Sequence, residues 1–296
     1  MSLPLDRSHI ETEKQNAHTM HLDTLQTKAL VSLLAKDHQQ VIEAVEDASN
    51  EIAIFIDNLV DRIKVGGRLI YIGCGTSGRL GVLDAAECPP TFQTDPAMIV
   101  GLIAGGDKSL RTSSEGEEDK PDGAKPALSA LRLTPNDTVL GIAAGGTTPW
   151  VIGGLVLAKT MGANTAFLTC SSEKPTTDHL IMLNSGAEPL TGSTRMKAAT
   201  ATKLTLNIIT TALFTRLGKV YGNLMVDLKA SNSKLQDRAI RIVSEICAIS
   251  RKEASELLQR SDGDVKVAVV MEKSHVDAKT AQSLLDDVGG NLRDAL

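Results

Sequence analysis

Aromatic side chains are nearly missing from this chain: one Trp, two Tyr and four Phe, or 2% of the residues. The core must therefore be aliphatic, and the scarcity argues against nucleic-acid readers that stack bases on aromatic platforms. No long basic run occurs and the formal net charge is -5, which argues against a nucleic-acid or anionic-membrane surface. The four cysteines, Cys74, Cys88, Cys170 and Cys247, match neither a zinc spacing nor CxxC. They read as buried or incidental thiols in a reducing compartment. The six histidines, His9, His18, His21, His38, His179 and His275, all lie outside the glycine-rich loops. His18 and His21 are close enough to raise metal binding, but arm residues are the commoner case, and no metal or other cofactor is expected. Apolar runs such as Ile52–Ile56 are too short to cross a bilayer. The N-terminal MSLPLDRSHIETEKQ has no apolar signal-peptide core. The expectation is a soluble, cytoplasmic protein.

What is present is patterned. At 296 residues, with 42% apolar and 23% charged residues, the chain can bury a large core and has room for one large and one small domain. Residues 1–35 read as a polar arm with one helix. From Asp37 to Val65 the apolar residues Val41, Val45, Ala48, Ile52, Phe55, Ile56, Leu59, Val60 and Ile63 recur at helical spacing, and Gly66-Gly67 stops the helix. Then come short apolar runs ended by small residues: 68–72, 98–104, 138–143, 165–169 and, more weakly, 179–183. Continuous apolar strands alternating with helical segments predict a parallel sheet covered on both faces, a three-layer αβα sandwich. Ligands in such sheets sit beyond the carboxyl ends of the strands. A long helix is expected over 193–217. Four short helices follow over 236–248, 251–261, 265–272 and 277–288, so residues 236–296 form a small helical module after an α/β domain spanning 36–235.

The loop after the first strand reads Gly73-Cys74-Gly75-Thr76-Ser77-Gly78 and opens a helix. Glycines let backbone N–H groups approach an anion, and the helix dipole adds to the attraction. The literal G-x-G-x-x-G also fits a dinucleotide site. That site wants an acidic residue ending the second strand, whereas here Gly105-Gly106 precede Asp107. The hydroxyls of Thr76 and Ser77 suit a phosphomonoester instead; a purely structural turn is the remaining reading. Gly145-Gly146-Thr147-Thr148 repeats the pattern after the third strand, with Pro149 suited to a first helical turn. A third candidate, Glu188 to Lys197, carries Ser193, Thr194, Arg195 and Lys197, and reads alternatively as a capped helix with solvated basic residues. Gly75, Thr76, Ser77, Gly78, Gly145, Gly146, Thr147, Thr148, Glu188, Ser193, Thr194, Arg195 and Lys197 are the candidate ligand contacts.

Carboxylates are better acid–base candidates here than imidazoles. Glu87 precedes Pro89-Pro90, which read as a rigid turn at the end of the first helix of the sandwich. Glu115, Glu117, Glu118 and Asp119 form the one acidic cluster. Taken alone, Glu87 reads as a surface helix-end residue and the cluster as a solvated loop; spacing does not join Glu87 to Glu118.

Several strings are very similar to signatures of the N-acetylmuramic acid 6-phosphate etherase family: GRLIYIGCGTSGRLGVLDAAECPPTF (67–92), VGLIAGG (100–106), EGEED (115–119), LTGSTRMKAATATK (190–203) and GKVYGNLMVDLKASNSKL (218–235). They occur in the family's order and the resemblance spans nearly the whole chain. It implies the sugar isomerase (SIS) fold, a C-terminal module like ubiquitin-associated domains, a homodimer, no metal, and a sugar-phosphate lyase of cell-wall recycling. The family's two catalytic glutamates fall on Glu87, as acid, and Glu118, as base. One departure concerns the second loop, where the family usually reads S-G-R-T-P and this chain Gly145-Gly146-Thr147-Thr148-Pro149. Either Thr147 or Thr148 replaces the serine hydroxyl, or the substrate differs. Two other functions use the same fold. An aldose–ketose isomerase would also abstract a proton at C2, but the site motifs lack a histidine. A non-catalytic sugar-phosphate sensor, like the vertebrate glucokinase regulator, would bind without turnover.

Overall fold

The computed structural model describes residues 6–228 and 232–296, apart from the side chain of Glu115. The first five residues of the arm, and residues 229–231 of the 218–235 string, lie outside the described residues. The chain divides into two compact units: Met1–Ala86 with Ala97–Ile209, and Glu87–Pro96 with Thr210–Leu296.

In the first unit the arm makes short 3₁₀ turns at Glu11–Glu13, Ala17–Thr19 and Leu22–Thr24. Helices α1 (Thr27–Asp37), α2 (Gln39–Asp47) and α3 (Ser49–Lys64) follow. The expected single helix over 37–65 is broken at Ala48 (φ -86°, ψ 6°), where Asp47 and Ser49, both weak helix formers, flank the junction. The apolar stripe survives the break: Val41, Val45, Ala48, Ile52, Phe55, Leu59 and Ile63 are all buried.

Next come β1 (Leu69–Gly73), α4 (Gly75–Phe92), β2 (Ile99–Ile103), α5 (Lys108–Arg111), α6 (Lys125–Leu131), β3 (Thr138–Ile142), α7 (Pro149–Thr160), β4 (Asn164–Thr169) and β5 (His179–Met182). All five strands are parallel, in the order β2-β1-β3-β4-β5. Every residue of β1, β3 and β4 is buried, which is why their central residues are apolar and do not alternate, the polar Thr138, Asn164, Thr165 and Thr169 lying at the strand ends. Arg68 and Asp137 pin β1 to β3 at the edge where these strands begin. Arg68 donates from N, Nε and Nη2 to the Asp137 carboxylate at 2.9, 3.0 and 2.7 Å. Burial alone would raise that carboxyl, but the bonds from Arg68 and Thr134 outweigh it and hold Asp137 below the usual carboxylate range.

The order β2-β1-β3 reverses direction at β1. Chains leaving β1 and β3 therefore part to opposite faces and open a crevice between their carboxyl ends. Gly73 pairs with Ile142, so the glycine loops that follow β1 and β3 begin at the same level.

Helix α8 (Lys197–Arg216) leads to a hairpin of β6 (Val220–Tyr221) and β7 (Leu224–Met225). Then come α9 (Ser233–Cys247), α10 (Arg251–Arg260), α11 (Val265–Ser274), α12 (Ala278–Asp287) and α13 (Leu292–Ala295). The second unit packs around Ile242, Val243, Leu257, Ala268, Val269, Met271 and Leu285. Its helices start on side-chain caps: Asn232, Ser250 in a reciprocal box with Glu253, Asp264, and Asp277. Asp227 accepts from Lys219 at 2.8 Å and from Lys266 at 2.7 Å. In α4 the prolines at 89 and 90 do not make the expected turn. Helix persists to Phe92, and Gln93 N–H donates to the Pro89 carbonyl at 3.0 Å, although each proline removes one i→i−4 bond from this end of the helix.

Candidate functional site

The crevice is built by close approach. A Cβ on Gly73 would lie 2.7 Å from the Gly78 nitrogen, and one on Gly78 would lie 2.5 Å from the Gly73 oxygen. These glycines let the first turn of α4 close onto the end of β1. Gly75 is exposed, and Thr76 and Ser77 are half-buried beside it. The first turn of a helix carries N–H groups its own ladder cannot use, at the positive end of the dipole.

The second loop has the same plan. Gly146 adopts φ +77°, and a Cβ there would meet the Glu173 carbonyl oxygen at 2.0 Å. Gly145, Thr147 and Thr148 are half-buried, and Pro149 is the first residue of α7.

Glu118 comes to both loops. Its carbonyl accepts from Trp150 N–H at 2.9 Å, fixing the acidic segment to the start of α7. Burial, followed by the charges of Glu118 and Asp119, pushes the Cys74 thiol of the first loop up to about 12. The thiol stays protonated at neutral pH, while the Glu118 carboxylate acts on a loop whose neighbours are glycines and hydroxyls.

The third segment is built differently. Glu188 is fully buried and accepts from Lys197 N–H at 3.0 Å and Ala198 N–H at 2.9 Å, capping α8. Burial raises its carboxyl above the usual range, against the pull of these N–H bonds. Lys197 is 1% exposed; its Nζ donates to Gln40 at 2.9 Å and pairs with Asp37 at 3.4 Å. Ser193 and Thr194 are half-buried and Arg195 is exposed.

Glu87 lies in the second unit, exposed. Neither compact unit by itself brings Glu87 and Glu118 together.

Sequence reasoning missed the arm's part in this region. Asn16 Nδ2 donates to the Ala187 carbonyl at 3.1 Å and to both Asp37 oxygens at 3.2 Å. Thr19 Oγ1 donates to the Pro189 carbonyl at 2.8 Å, and Gly192 N–H to the Thr12 carbonyl at 3.2 Å. The arm thus packs on its own chain. A polar stretch without periodicity carries no signal for this.

The fold and site define an SIS-type chain. A family model described as the glucokinase regulatory protein N-terminal SIS domain matches residues 51–159. A second, the C-terminal lid domain of glucokinase regulatory protein, matches residues 222–285, which take in α9 to α11 and most of α12. A phosphoheptose isomerase from Neisseria gonorrhoeae superposes with a TM-score of 0.48 at 16% identity, covering 64% of this chain and 98% of that one. The sequence is 49% identical to an N-acetylmuramic acid 6-phosphate etherase of Crocosphaera subtropica, over 98% of this chain and 96% of the relative. It is 48% identical to one of Prochlorococcus marinus, over 98% and 93%. The chain belongs to the N-acetylmuramic acid 6-phosphate etherase family, whose members are carbon–oxygen lyases. Among the described residues no helix is long and apolar enough to cross a membrane.

Proposed function

We propose that this protein cleaves the C3 lactyl ether of N-acetylmuramic acid 6-phosphate, giving N-acetylglucosamine 6-phosphate and D-lactate. In the open-chain sugar the C2 proton is acidic because the aldehyde is adjacent. Glu118 removes it. The C3–O bond breaks as Glu87 protonates the departing lactate oxygen, leaving an unsaturated aldehyde, and water then adds at C3. The phosphate sits on the glycine and hydroxyl loops, Gly75–Gly78 and Gly145–Thr148. Ser193, Thr194 and Arg195 line the third side, and Glu188 and Lys197 hold that segment in shape. The reading includes a homodimer, as the family resemblance implies, and the cytoplasmic location expected from the sequence.

The single observation carrying it is the position of Glu118, bonded through its carbonyl to the start of α7 and felt electrostatically at Cys74. A proton-abstracting carboxylate needs that adjacency to a phosphate cradle. The test is incubation of the purified protein with N-acetylmuramic acid 6-phosphate followed by a D-lactate assay. Lactate in step with substrate loss is the expected result; ketose formation without lactate would assign the chain to the isomerases.

A further inference from the structure

The arm carries one feature that packing does not explain. Thr12 is fully buried, yet its Oγ1 has no hydrogen-bond partner among the described residues. A buried hydroxyl without a partner is unfavourable, and valine would fill the same volume without that cost. The hydroxyl faces the second loop: Oγ1 lies 3.9 Å from where a Cβ on Gly145 would stand. The same residue's carbonyl accepts from Gly192 N–H of the third segment at 3.2 Å. Thr12 therefore bridges the second loop and the third segment. Asn16 and Thr19 tie the arm to the carbonyls of Ala187 and Pro189, and Asn16 joins Asp37, which pairs with the buried Lys197. A Cβ on Gly192 would press to 3.0 Å from Glu13 Oε2, so the arm lies directly on that segment.

We propose that Thr12 is a substrate-binding residue of this site, its hydroxyl donating to an oxygen of the sugar phosphate held between the Gly145 loop and the Gly192 segment. The inference rests on the sugar-phosphate reading above. The hydroxyl is a donor already stripped of water and with no partner to give up, so a bond to substrate breaks none within the protein. The Asn16–Asp37–Lys197 chain keeps the arm in place.

The test compares the full-length protein with Thr12→Val and Thr12→Ser in the D-lactate assay, alongside thermal melting and competition by inorganic phosphate. No lactate from the unaltered protein sinks the underlying reading and leaves Thr12 without a substrate to bind. With an active parent, Thr12→Val should raise KM about tenfold, the loss of one hydrogen bond, with kcat little changed, and Thr12→Ser should restore KM. Weaker phosphate competition in Thr12→Val assigns the bond to the phosphate; unchanged competition assigns it to a sugar oxygen. An unchanged KM in Thr12→Val, equal impairment in both variants, or a fall confined to kcat overturns the proposal. Should the valine variant not fold, Thr12→Ala, which adds no bulk, is read in the same way.

Discussion

Glu118 and Glu188 lie in the same compact unit and have opposite surroundings. Glu118 is fixed through its main chain, its carbonyl accepting from the start of α7, while its carboxylate acts on the buried thiol of Cys74. Glu188 is fixed through its side chain, both oxygens accepting from the first N–H groups of α8. The difference teaches how to sort acidic residues near a crevice. A carboxylate whose two oxygens each accept from a helix N–H is part of the scaffold, whereas the segment carrying Glu118 is placed by a main-chain bond that a side-chain substitution leaves in place.

The largest effect should separate the two glutamates by what is lost. Glu118→Gln keeps the Trp150 bond, which is main-chain, and removes the base. Turnover should fall about 100- to 10,000-fold, the usual contribution of a positioned acid or base, with a nearly unchanged melting temperature. Glu87→Gln should behave likewise if Glu87 is the acid. Near-normal lactate release from either variant removes that residue from the mechanism.

Lys197 extends the comparison to a cation. Replacing one member of a buried ion pair leaves the other charge uncompensated, at a cost of about 3–5 kcal/mol. Lys197→Met should therefore lower the melting temperature markedly. Adding Asp37→Asn should recover part of the loss in a double-mutant cycle. If Lys197 touches phosphate instead, KM rises while the melting temperature holds, and the scaffold reading of the segment fails.

How much of this was legible depended on the kind of signal. The five strands showed themselves because residues buried on both faces must be apolar, so 69–73 and 138–142 stood out between polar stretches. The glycine loops were legible as turns at strand ends, but Gly73 and Gly78 turned out to allow helix and strand to touch, which spacing alone does not reveal. Glu188, Lys197 and the hydroxyls around them had the same letters whether facing ligand or buried. Only the fold shows that Lys197 meets Asp37, 160 positions away in sequence. Thr12 and Asn16 had no periodicity to announce them, since their roles come from loops that lie more than 130 residues away. The hairpin β6–β7 and α13 were too short, at two and four residues, to leave a pattern.

Glu188→Gln is the smaller test and the one most sensitive to pH. Glutamine offers one acceptor where two N–H groups need one each, and its amide NH₂ faces the other, so the variant should lose about 1–3 kcal/mol, the cost of leaving a buried donor unsatisfied. In the unaltered protein burial raises the Glu188 carboxyl. The folded state therefore binds this proton more tightly than the unfolded state, whose value is about 4.3. The stability gained from that proton is fully present below the unfolded value and is lost as pH rises through the folded one. Glutamine does not titrate, so the stability gap between the two proteins should narrow as pH rises from about 4 toward neutrality. Urea titrations at several pH values measure the gap. A gap that widens instead would mean that the two helix N–H bonds outweigh burial, and that Glu188 caps α8 as a fully ionised carboxylate.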